Sequence, residues 1–426
     1  MLLTLKNLGK IADAKIELNG ITVIAGENNT GKSTIGKVLF CIFNSFYKIN
    51  QQINTERGYT IERFLDNAYF YNTNRYTKRV DTRKIAEDIL NNKDDFLSNE
   101  QLLHQFIIQS FVQSDPNFKK YTKNDSMDDV VEKVIQILNI SDEEIFKTVL
   151  QKKLESEFNN QINNIYFPDE SSEIKLKIKD KTVKVIVKNN EVQQIVNSFS
   201  LNTEIIYLDD PFALDDLNGY STLFSTNNYG SHRAHLRKKL TMHNDSSIQN
   251  ALNEIITTKK IDSIMEKINT VCSGEIVRDK RIDYGYKRKN SDAVLDVKNI
   301  STGLKTFVIL KTLLANGNLE DNGTIVLDEP EIHLHPEWQL VFAELIVLIQ
   351  KAFNMHILLN THSPYFLHAI EVYSAKYNIA DKCKYYMAEN MDVKSNIVDV
   401  TANIEEIYQK LARPLQDLEN ERYSDD

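Results

Sequence analysis

One loop of nine residues constrains the fold of this chain more than any other segment. The stretch GENNTGKST starts at Gly26 and fits the pattern G-x-x-x-x-G-K-[ST] as far as Ser33. An apolar strand, ITVIA, precedes the loop, and a helix with periodic apolar residues, IGKVLFCIFNSF, follows it. Backbone N–H groups in such a loop and at a helix start bind phosphate. The sequence therefore predicts a phosphate-binding loop, and the alternative is a chance match in a loop rich in glycine and asparagine.

The residue types in the loop indicate what each would do for a bound polyphosphate. Lys32 would reach the β- and γ-phosphates, the Ser33 hydroxyl would ligate Mg²⁺, and Thr34 is placed for the α-phosphate. The loop backbone would wrap the phosphates. The further candidate cofactor-binding residues of the loop are Gly26, Asn28, Asn29, Thr30 and Gly31. The loop therefore predicts a bound polyphosphate with Mg²⁺.

Two acids end another apolar strand, TIVLDE. A magnesium nucleotide site needs a carboxylate at a strand tip to hold the water shell of the metal, and Asp328 has that position. Glu329 is placed to orient and deprotonate an attacking water. An isolated pair of this kind is commonly just solvated. The phosphate-binding loop on the same chain favours the metal site.

Two weaker signals accompany these motifs. His362 ends the apolar strand HILLNTH, where an imidazole could contact a γ-phosphate, although a lone histidine there is more often structural. In NISTGLKTF, Ser301 can cap the following helix, and Gly303 leaves its first turn open to a close-approaching group. The alternative for this segment is an ordinary helix cap.

The order of strands and helices predicts an α/β fold. After Asn299, strands and helices alternate, which is typical of a parallel sheet covered by helices. Residues 46–200 are rich in polar and aromatic residues and read as mainly helical, with one hairpin at 173–187. Asn19-Gly20 predicts a second hairpin that leads into ITVIA.

Taken together and in this order, the motifs resemble the ATP-binding-cassette ATPases of the RecF, SMC and OLD (overcoming lysogenisation defect) group. Gly26 to Thr34 match the Walker A motif, and Ile325 to Glu329 match Walker B. Ser301 to Gly303 match the signature motif, and His362 matches the switch histidine. The signature reads ISTGLK rather than the double-glycine form of transporters, and the Q-loop glutamine cannot be placed.

The resemblance implies a P-loop NTPase with an ABC-type ATPase head, a mixed and mostly parallel sheet split by a mainly helical insertion. Residues 1–45 would form the N-terminal lobe and 201–426 the C-terminal lobe. Residues 46–200 would be the insertion, a dimerisation or arm segment. The catalytic residues would be Glu329, Lys32 and His362, and Ser33 and Asp328 would hold the metal.

The resemblance also implies how subunits assemble. ATP and its Mg²⁺ would be sandwiched in a homodimer, with Walker A from one chain and Ser301 and Gly303 from the other, and such dimers could join into a higher oligomer. The segment EIHLHPEWQ looks like the D-loop that follows Walker B. His333 and His335 would then shape the subunit contact and the helix entry. The alternative is an H-x-H zinc site, for which no third ligand with suitable spacing is evident.

Among close relatives, the DEPEIHLHPEWQ and THSP segments look most like bacterial anti-phage ATPases of the OLD, Septu and PARIS type. OLD proteins carry a fused Toprim nuclease, whereas the residues after His362 predict only two strands and a helix. We therefore expect a separate effector, such as a nuclease or another toxin. One alternative is a RecF-like DNA-repair ATPase without a toxic partner. Another is the energy subunit of a transporter, which the insertion and the signature disfavour.

Composition leaves DNA contact open. The net charge of -9 argues against a surface that is basic throughout, but not against a local patch. Arg278 to Lys289 contain six basic residues with Tyr284 and Tyr286 interleaved. A second cluster comprises Arg233, Arg237, Lys238 and Lys239. Both could equally be solvated faces. Three scattered cysteines and the lack of a signal peptide or a long apolar span predict a cytoplasmic protein without membrane contact.

Overall fold

A large mixed sheet organises most of the chain. The structure is a computed structural model that describes residues 1–73, 80–116, 118, 124–218, 230–242 and 251–424. In these ranges the sheet has 11 strands in the order β6-β5-β4-β1-β2-β14-β13-β3-β12-β11-β7. Its strands are β1 (Leu2–Leu8), β2 (Ile11–Glu17), β3 (Ile21–Gly26), β4 (Ser172–Ile178), β5 (Lys181–Lys188), β6 (Glu191–Val196), β7 (Ile205–Leu208), β11 (Thr324–Asp328), β12 (His356–Thr361), β13 (Cys383–Met391) and β14 (Lys394–Asp399). A separate small sheet contains β8 (Glu275–Asp279), β9 (Asp283–Lys287) and β10 (Val294–Asp296).

The half of the sheet that carries the predicted motifs is parallel. Strands β13, β3, β12, β11 and β7 are neighbours in that order, and each adjacent pair is parallel. Their carboxyl ends therefore lie along one edge of the sheet, which is where α/β proteins bind ligands. The glycine-rich loop, Asp328 and His362 all follow strands of this set. The predicted α/β fold class is confirmed.

The helices outside the segment 48–141 connect the strands of the sheet or follow the last of them. They are α1 (Lys32–Phe46), α7 (Asp142–Phe158), α8 (His232–Thr241), α9 (Ala251–Asn269), α10 (Thr302–Ala315), α11 (Pro336–Phe353), α12 (Pro364–Lys376) and α13 (Glu405–Ser424). Helix α1 packs closely because Gly36 has no side chain. A Cβ there would lie 2.8 Å from Val326 Cγ1 and 3.2 Å from the Tyr207 hydroxyl oxygen. The predicted helix at 247–271 is described only from Ala251, because 247–250 lie outside the described residues.

The other half of the sheet is antiparallel and reveals a difference from the predicted domain boundary. Strand β4 pairs with β1, with Ile174 opposite Leu5, and β5 and β6 continue the meander. Ile174 and Leu176 are buried in this sheet, so the hairpin predicted within the 46–200 insertion belongs to the sheet unit. The chain divides by internal contacts into Met1–Tyr47 with Leu150–Asp426, and Lys48–Val149. The helical unit is thus shorter than the predicted insertion.

The unit Lys48–Val149 has an apolar core of its own. Its helices are α2 (Ile49–Thr73), α3 (Thr82–Asn91), α4 (Lys93–Ser98), α5 (Glu100–Ser114) and α6 (Asn124–Asn139), followed by the start of α7. Ile61, Leu65, Leu103 and Phe111 are fully buried in one cluster of this unit. The unit is therefore stabilised by burial of apolar area rather than by surface charge alone.

The hairpin predicted at Asn19-Gly20 does not form. Strand β2 is separated from β3 by β14 and β13. Gly20 has a positive φ of 62°, and a Cβ there would lie 2.5 Å from the Lys382 carbonyl oxygen. Glycine is needed because another segment passes closely, not because the two flanking strands pair. In the described ranges no helix is both long and apolar enough to cross a membrane.

A buried carboxylate ties α11 to its neighbours and leads to a stability prediction. Glu344 lies 2.5 Å from Lys267 Nζ and accepts bonds from Lys376 Nζ at 2.9 Å and the Tyr377 hydroxyl at 2.6 Å. Burial alone would raise the pKa of Glu344, but these donors lower it to about 2. We expect Glu344→Gln to lower the free energy of unfolding by about 1–3 kcal/mol at pH 7 in urea titrations.

The pH dependence of this effect has a defined sign. Because the pKa of Glu344 is depressed in the folded state, its contribution is complete above the usual value of 4.5 and is lost as the pH falls towards about 2. The difference between wild type and Glu344→Gln should therefore stay constant from pH 7 to about pH 5 and narrow as the pH falls from there towards about 2. Glu337→Gln, an exposed change on the same helix, should have a smaller effect with no such narrowing. A difference that does not narrow below about pH 5 would contradict the assignment.

Candidate functional site

The glycine-rich loop between β3 and α1 is held in a tight curve. Gly31 is the residue before α1 and has a φ of 82°, and Asn29 also has a positive φ of 59°. A Cβ at Gly31 would lie 2.7 Å from Ile11 Cδ1, so both the backbone angle and the available space call for glycine. Asn28 and Asn29 are exposed. The loop has the curvature and the open face that a phosphate group requires.

The ammonium group of Lys32 lies inside this loop. Its Nζ donates to the carbonyl oxygens of Gly26 at 2.9 Å and Glu27 at 2.8 Å, and the side chain is only 5% exposed. Burial lowers the pKa of Lys32, and the nearby Glu329 carboxylate acts in the opposite direction. Carbonyl groups orient the ammonium group without neutralising it. Its charge is therefore available to a bound anion.

The other predicted residues of the loop divide into two groups. Thr30 is buried, and its hydroxyl donates to the Glu27 carbonyl oxygen at 2.8 Å, so its side chain braces the loop. Ser33 is exposed in the first turn of α1 and lines a cavity. Thr34 is half-buried beside Gly9, where a Cβ would lie 3.6 Å from Thr34 Cγ2. Ser33 is thus the hydroxyl that a ligand in this cavity would meet.

The carboxylate of Asp328 is oriented by two neutral donors that the sequence did not predict. The Tyr207 hydroxyl donates to its Oδ2 at 2.7 Å, and the Asn360 amide donates to its Oδ1 at 2.9 Å. Burial and the negative charge of Asp328 raise the pKa of Tyr207, which keeps it protonated as a donor. Neutral donors aim a carboxylate without cancelling its charge, so the donor set fits a magnesium ion held by Asp328 and Ser33.

Three of the predicted residues meet at Glu329. Its Oε1 lies 3.7 Å from Lys32 Nζ and 3.3 Å from His362 Nδ1. The Glu329 backbone has a positive φ of 49°, a conformation that costs about 1–3 kcal/mol for a non-glycine residue. Its N–H donates to the Asn360 carbonyl oxygen at 2.9 Å. The ends of β3, β11 and β12 therefore converge on one carboxylate.

A second glutamate braces this region. Glu331 is 2% exposed and accepts a hydrogen bond from the Thr361 hydroxyl, next to His362. Burial raises the pKa of Glu331. Its carbonyl oxygen accepts from the Leu334 N–H at 2.9 Å. The segment after Asp328 is thus attached to the strand that carries His362.

The two candidate residues of the ISTG segment lie apart from this group. Ser301 precedes α10 and is exposed, but its side chain makes no capping hydrogen bond, contrary to the predicted cap. A Cβ at Gly303 would lie 2.7 Å from the His333 carbonyl oxygen, so the close-approaching group is the chain itself. Among the described residues, no hydrogen bond joins Ser301 or Gly303 to Lys32 or Asp328.

The two histidines of the H-x-H pattern are exposed in the segment before α11. His335 is the residue that precedes α11, and the His333 ring centroid lies 6.0 Å from that of Phe212. Within the described ranges no cluster of three or more histidine, cysteine or acidic side chains is arranged to hold a metal.

A cavity of about 360 Å³ opens beside these residues. Its lining residues include Ser33, Asp328, Glu329, Asp209 and Arg233. The acids that follow β7 and those at the end of the adjacent strand β11 therefore line the same cavity. The sequence placed no function on this edge of β7, because its acids precede a proline and resemble an ordinary strand end.

The predicted basic segments are less available than their composition indicates. Arg233 pairs with Asp209, Arg237 with Asp216 and Lys239 with Glu204. Tyr284 and Tyr286, predicted to interleave with cations on a surface, are 9% and 3% exposed and pack in the core. They cannot stack on a nucleic acid in this conformation. The exposed cations of this region are Arg278, Lys280, Arg281, Arg288 and Lys289.

Two curated relatives share part of this sequence. The chain is 25% identical over 187 residues to "Retron Vc95 probable ATPase" of Vibrio cholerae serotype O1 biovar El Tor, which covers 41% of this chain and 34% of the relative. It is 34% identical over 88 residues to "Retron Ec83 probable ATPase" of Escherichia coli, covering 18% and 16%. The matches thus span about a third and a sixth of the lengths of these relatives.

Solved structures with a similar arrangement include the SMC head domain from Thermotoga maritima. It has a TM-score of 0.38 and 12% identity and covers 94% of this chain and 98% of that one. An SmcHead bound to the C-winged helix domain of ScpA has a TM-score of 0.40 and 10% identity, covering 95% and 98%.

The family model of the AAA ATPase domain matches residues 1–367. This range includes the glycine-rich loop, the acids that end β11 and His362, the residues that converge in the structure. Because the match covers most of the sequence, the chain belongs to the AAA ATPase domain family.

Proposed function

We propose that this chain is an ATP-binding and ATP-hydrolysing dimeric switch that depends on Mg²⁺. The observation that carries the proposal is the convergence on Glu329, where Lys32 Nζ and His362 Nδ1 lie 3.7 and 3.3 Å from one carboxylate oxygen. A cation, an acid and an imidazole beside a phosphate-binding loop are the groups that phosphoryl transfer to water requires.

Binding would begin at the loop. The oxygens of a polyphosphate would accept hydrogen bonds from the backbone N–H groups of the loop. They would also replace the carbonyl oxygens as the partners of the Lys32 ammonium group. Ser33 and Asp328 would hold Mg²⁺, which when bound neutralises charge on the phosphates. Tyr207 and Asn360 would keep Asp328 aimed at that position.

Hydrolysis would depend on Glu329 and His362. Glu329 would orient the attacking water and accept its proton, a role typically worth 10²–10⁴ in rate. His362 would contact the γ-phosphate. The strained backbone of Glu329 fixes where this carboxylate points.

A second copy would complete the site. In this proposal Ser301 and Gly303 of one chain meet the nucleotide bound by another, and ATP drives closure while hydrolysis releases it. Support comes from Ser301, which is exposed and makes no capping bond within its own helix. A helix start with a free hydroxyl and N–H groups is suited to an anion.

We further propose that the switch belongs to a bacterial anti-phage defence system and controls a separate effector such as a nuclease. In support, both curated relatives are bacterial and are named as probable ATPases of retrons. The alternative is a RecF-like repair ATPase. A toxin that copurifies with the chain would favour the first, and sensitivity limited to DNA damage on deletion would favour the second.

Steady-state ATP hydrolysis by the purified chain, with and without double-stranded DNA and at low and moderate salt, tests the proposal. We expect turnover that disappears when EDTA removes Mg²⁺. DNA stimulation that falls with salt would point to Arg278, Lys280 and their exposed neighbours as phosphate contacts. Turnover indifferent to DNA would leave the ATPase proposal intact and direct the search to a protein trigger. No turnover under any condition would contradict it.

A further inference from the structure

A buried charged cluster lies behind the Asp328 carboxylate. His232 starts α8 and is 5% exposed, with its Nδ1 2.6 Å from Glu157 Oε2 and its Nε2 3.0 Å from Asp209 Oδ2. The His232 backbone N–H also donates to Glu157 Oε1. A carboxylate close to each ring nitrogen favours the doubly protonated, positively charged form of the ring.

The charges of this cluster are mutually supporting. Burial alone would lower the pKa of His232, but the hydrogen-bonding carboxylates raise it to about 9. Burial would likewise raise the pKa of Asp209, whereas His232 and Arg233 lower it to about 2. Arg233 donates to Asp209 through Nε at 3.1 Å and Nη2 at 2.8 Å. His232 therefore lies between two carboxyl groups, one close to each ring nitrogen.

The same ring is stacked on Tyr207. The two ring centroids are 4.3 Å apart and the planes differ by 24°. Tyr207 is fully buried, and its hydroxyl donates to Asp328 Oδ2 at 2.7 Å. A cation against the face of an aromatic ring attracts it, and this attraction is strongest when both are desolvated. The stacked His232 ring therefore restricts the position of the Tyr207 ring that carries this hydroxyl.

We propose that His232 is a positioning residue for the ATPase site. Clamped between Glu157 and Asp209, it holds Tyr207 in the orientation that aims the Asp328 carboxylate at the metal position. This inference rests on the proposed function, since it assigns a role to Asp328 in holding Mg²⁺. An ordinary buried ion network would stabilise the fold without acting on Asp328 in particular.

The decisive variant is His232→Gln, compared with wild type by calorimetric titration of ATP in Mg²⁺ and in EDTA. We expect the Mg²⁺-dependent gain in ATP affinity to fall about 10-fold or more, the usual scale for a residue that supports a metal ligand, with affinity in EDTA unchanged. His235→Gln is the matched control on the same helix. His235 pairs with Glu204 at 3.3 Å and lies 5.6 Å from the Phe40 ring, so this variant should keep the gain.

A double-mutant cycle with Tyr207→Phe tests whether His232 acts on Asp328 through the Tyr207 hydroxyl or by a general effect on stability. Tyr207→Phe keeps the stacked ring and removes the hydroxyl. If His232 acts through this hydroxyl, the double variant should lose no more Mg²⁺-dependent affinity than either single variant. Independent, additive losses would overturn the route through Tyr207.

Urea unfolding without nucleotide provides the remaining contrast. The His232→Gln protein could be less stable but keep the whole Mg²⁺-dependent gain in ATP affinity, or it could lose ATP affinity equally in EDTA. Either result would mean that His232 has only a structural role. Should that variant not fold, Glu157→Gln loosens the same clamp and carries the same expectation. Wild type that does not bind ATP would overturn the proposed function as well, whereas a normal gain in wild type and variants alike would overturn only this inference.

Discussion

Glu329→Gln is expected to reduce ATP turnover by about 10²–10⁴ while ATP still binds, because removal of a general base costs that factor. Glutamine has nearly the same size and can occupy the same left-handed backbone conformation as Glu329, so the fold around β11 should be retained. It cannot accept the proton of the attacking water. Lys32 and the loop remain intact in this variant, so the nucleotide site stays formed.

Two measurements check this prediction. Steady-state hydrolysis gives the loss of turnover, and light scattering after gel filtration in ATP and Mg²⁺ should show a dimer that persists for the variant and decays for wild type. Glu191→Gln, an exposed change on β6, is the matched control and should behave as wild type. Turnover by Glu329→Gln at the wild-type rate would mean that another group deprotonates the water.

The part of the site that could be predicted from sequence is the part made of contiguous residues. The loop from Gly26 and the Asp328-Glu329 pair each combine a local turn chemistry with an apolar strand, and parallel strands bring their carboxyl ends together. The structure brings Lys32, Glu329 and His362 to within ion-pair distance although they follow three separate strands. Local pattern and global fold agree here.

The supporting residues could not be predicted, because each is a single polar residue in an apolar run. Tyr207 interrupts IIYL and Asn360 interrupts HILLNT, and such residues often have only a structural hydrogen bond. Tyr207 bonds to a residue 121 positions away, and nothing local indicates that partner. No role was predicted for His232, because it precedes a cluster of basic residues that was interpreted only as a possible DNA contact.

The pairing of the strands could not be predicted from the sequence either. Alternating apolar residues identify β4 and β5 as strands, but alternation does not say which strand they pair with. Pairing of β4 with β1 places this hairpin in the large sheet and shortens the helical unit to Lys48–Val149. The Asn-Gly turn before β3 led to a wrong hairpin prediction. Its glycine is needed because a segment distant in sequence passes close to it, not because the flanking strands pair.

Lys32→Ala is expected to weaken ATP binding by at least about 100-fold, because the variant loses a charge-assisted contact to the β- and γ-phosphates in a poorly solvated site. The measurement is the rise in the melting temperature on adding ATP and Mg²⁺, which depends on affinity by mass action. Wild type should be stabilised by saturating ATP and Lys32→Ala should not. Without nucleotide, the variant should unfold close to wild type, since the lost hydrogen bonds go to two carbonyl oxygens of the loop.

Two further variants test whether the charge of Lys32 alone is enough and whether any substitution on α1 weakens ATP binding. Lys32→Arg keeps the charge but replaces a compact ammonium, which bonds to the Gly26 and Glu27 carbonyl oxygens, with a larger planar guanidinium, so it should resemble Lys32→Ala. Lys37→Ala, on the same helix, removes a bond to the Glu157 carbonyl at 3.3 Å and should keep the stabilisation by ATP. Equal stabilisation of wild type and Lys32→Ala by ATP would place the nucleotide elsewhere. Because Lys32 Nζ and Glu329 lie 3.7 Å apart, that result would also remove the reason to assign Glu329 as the base.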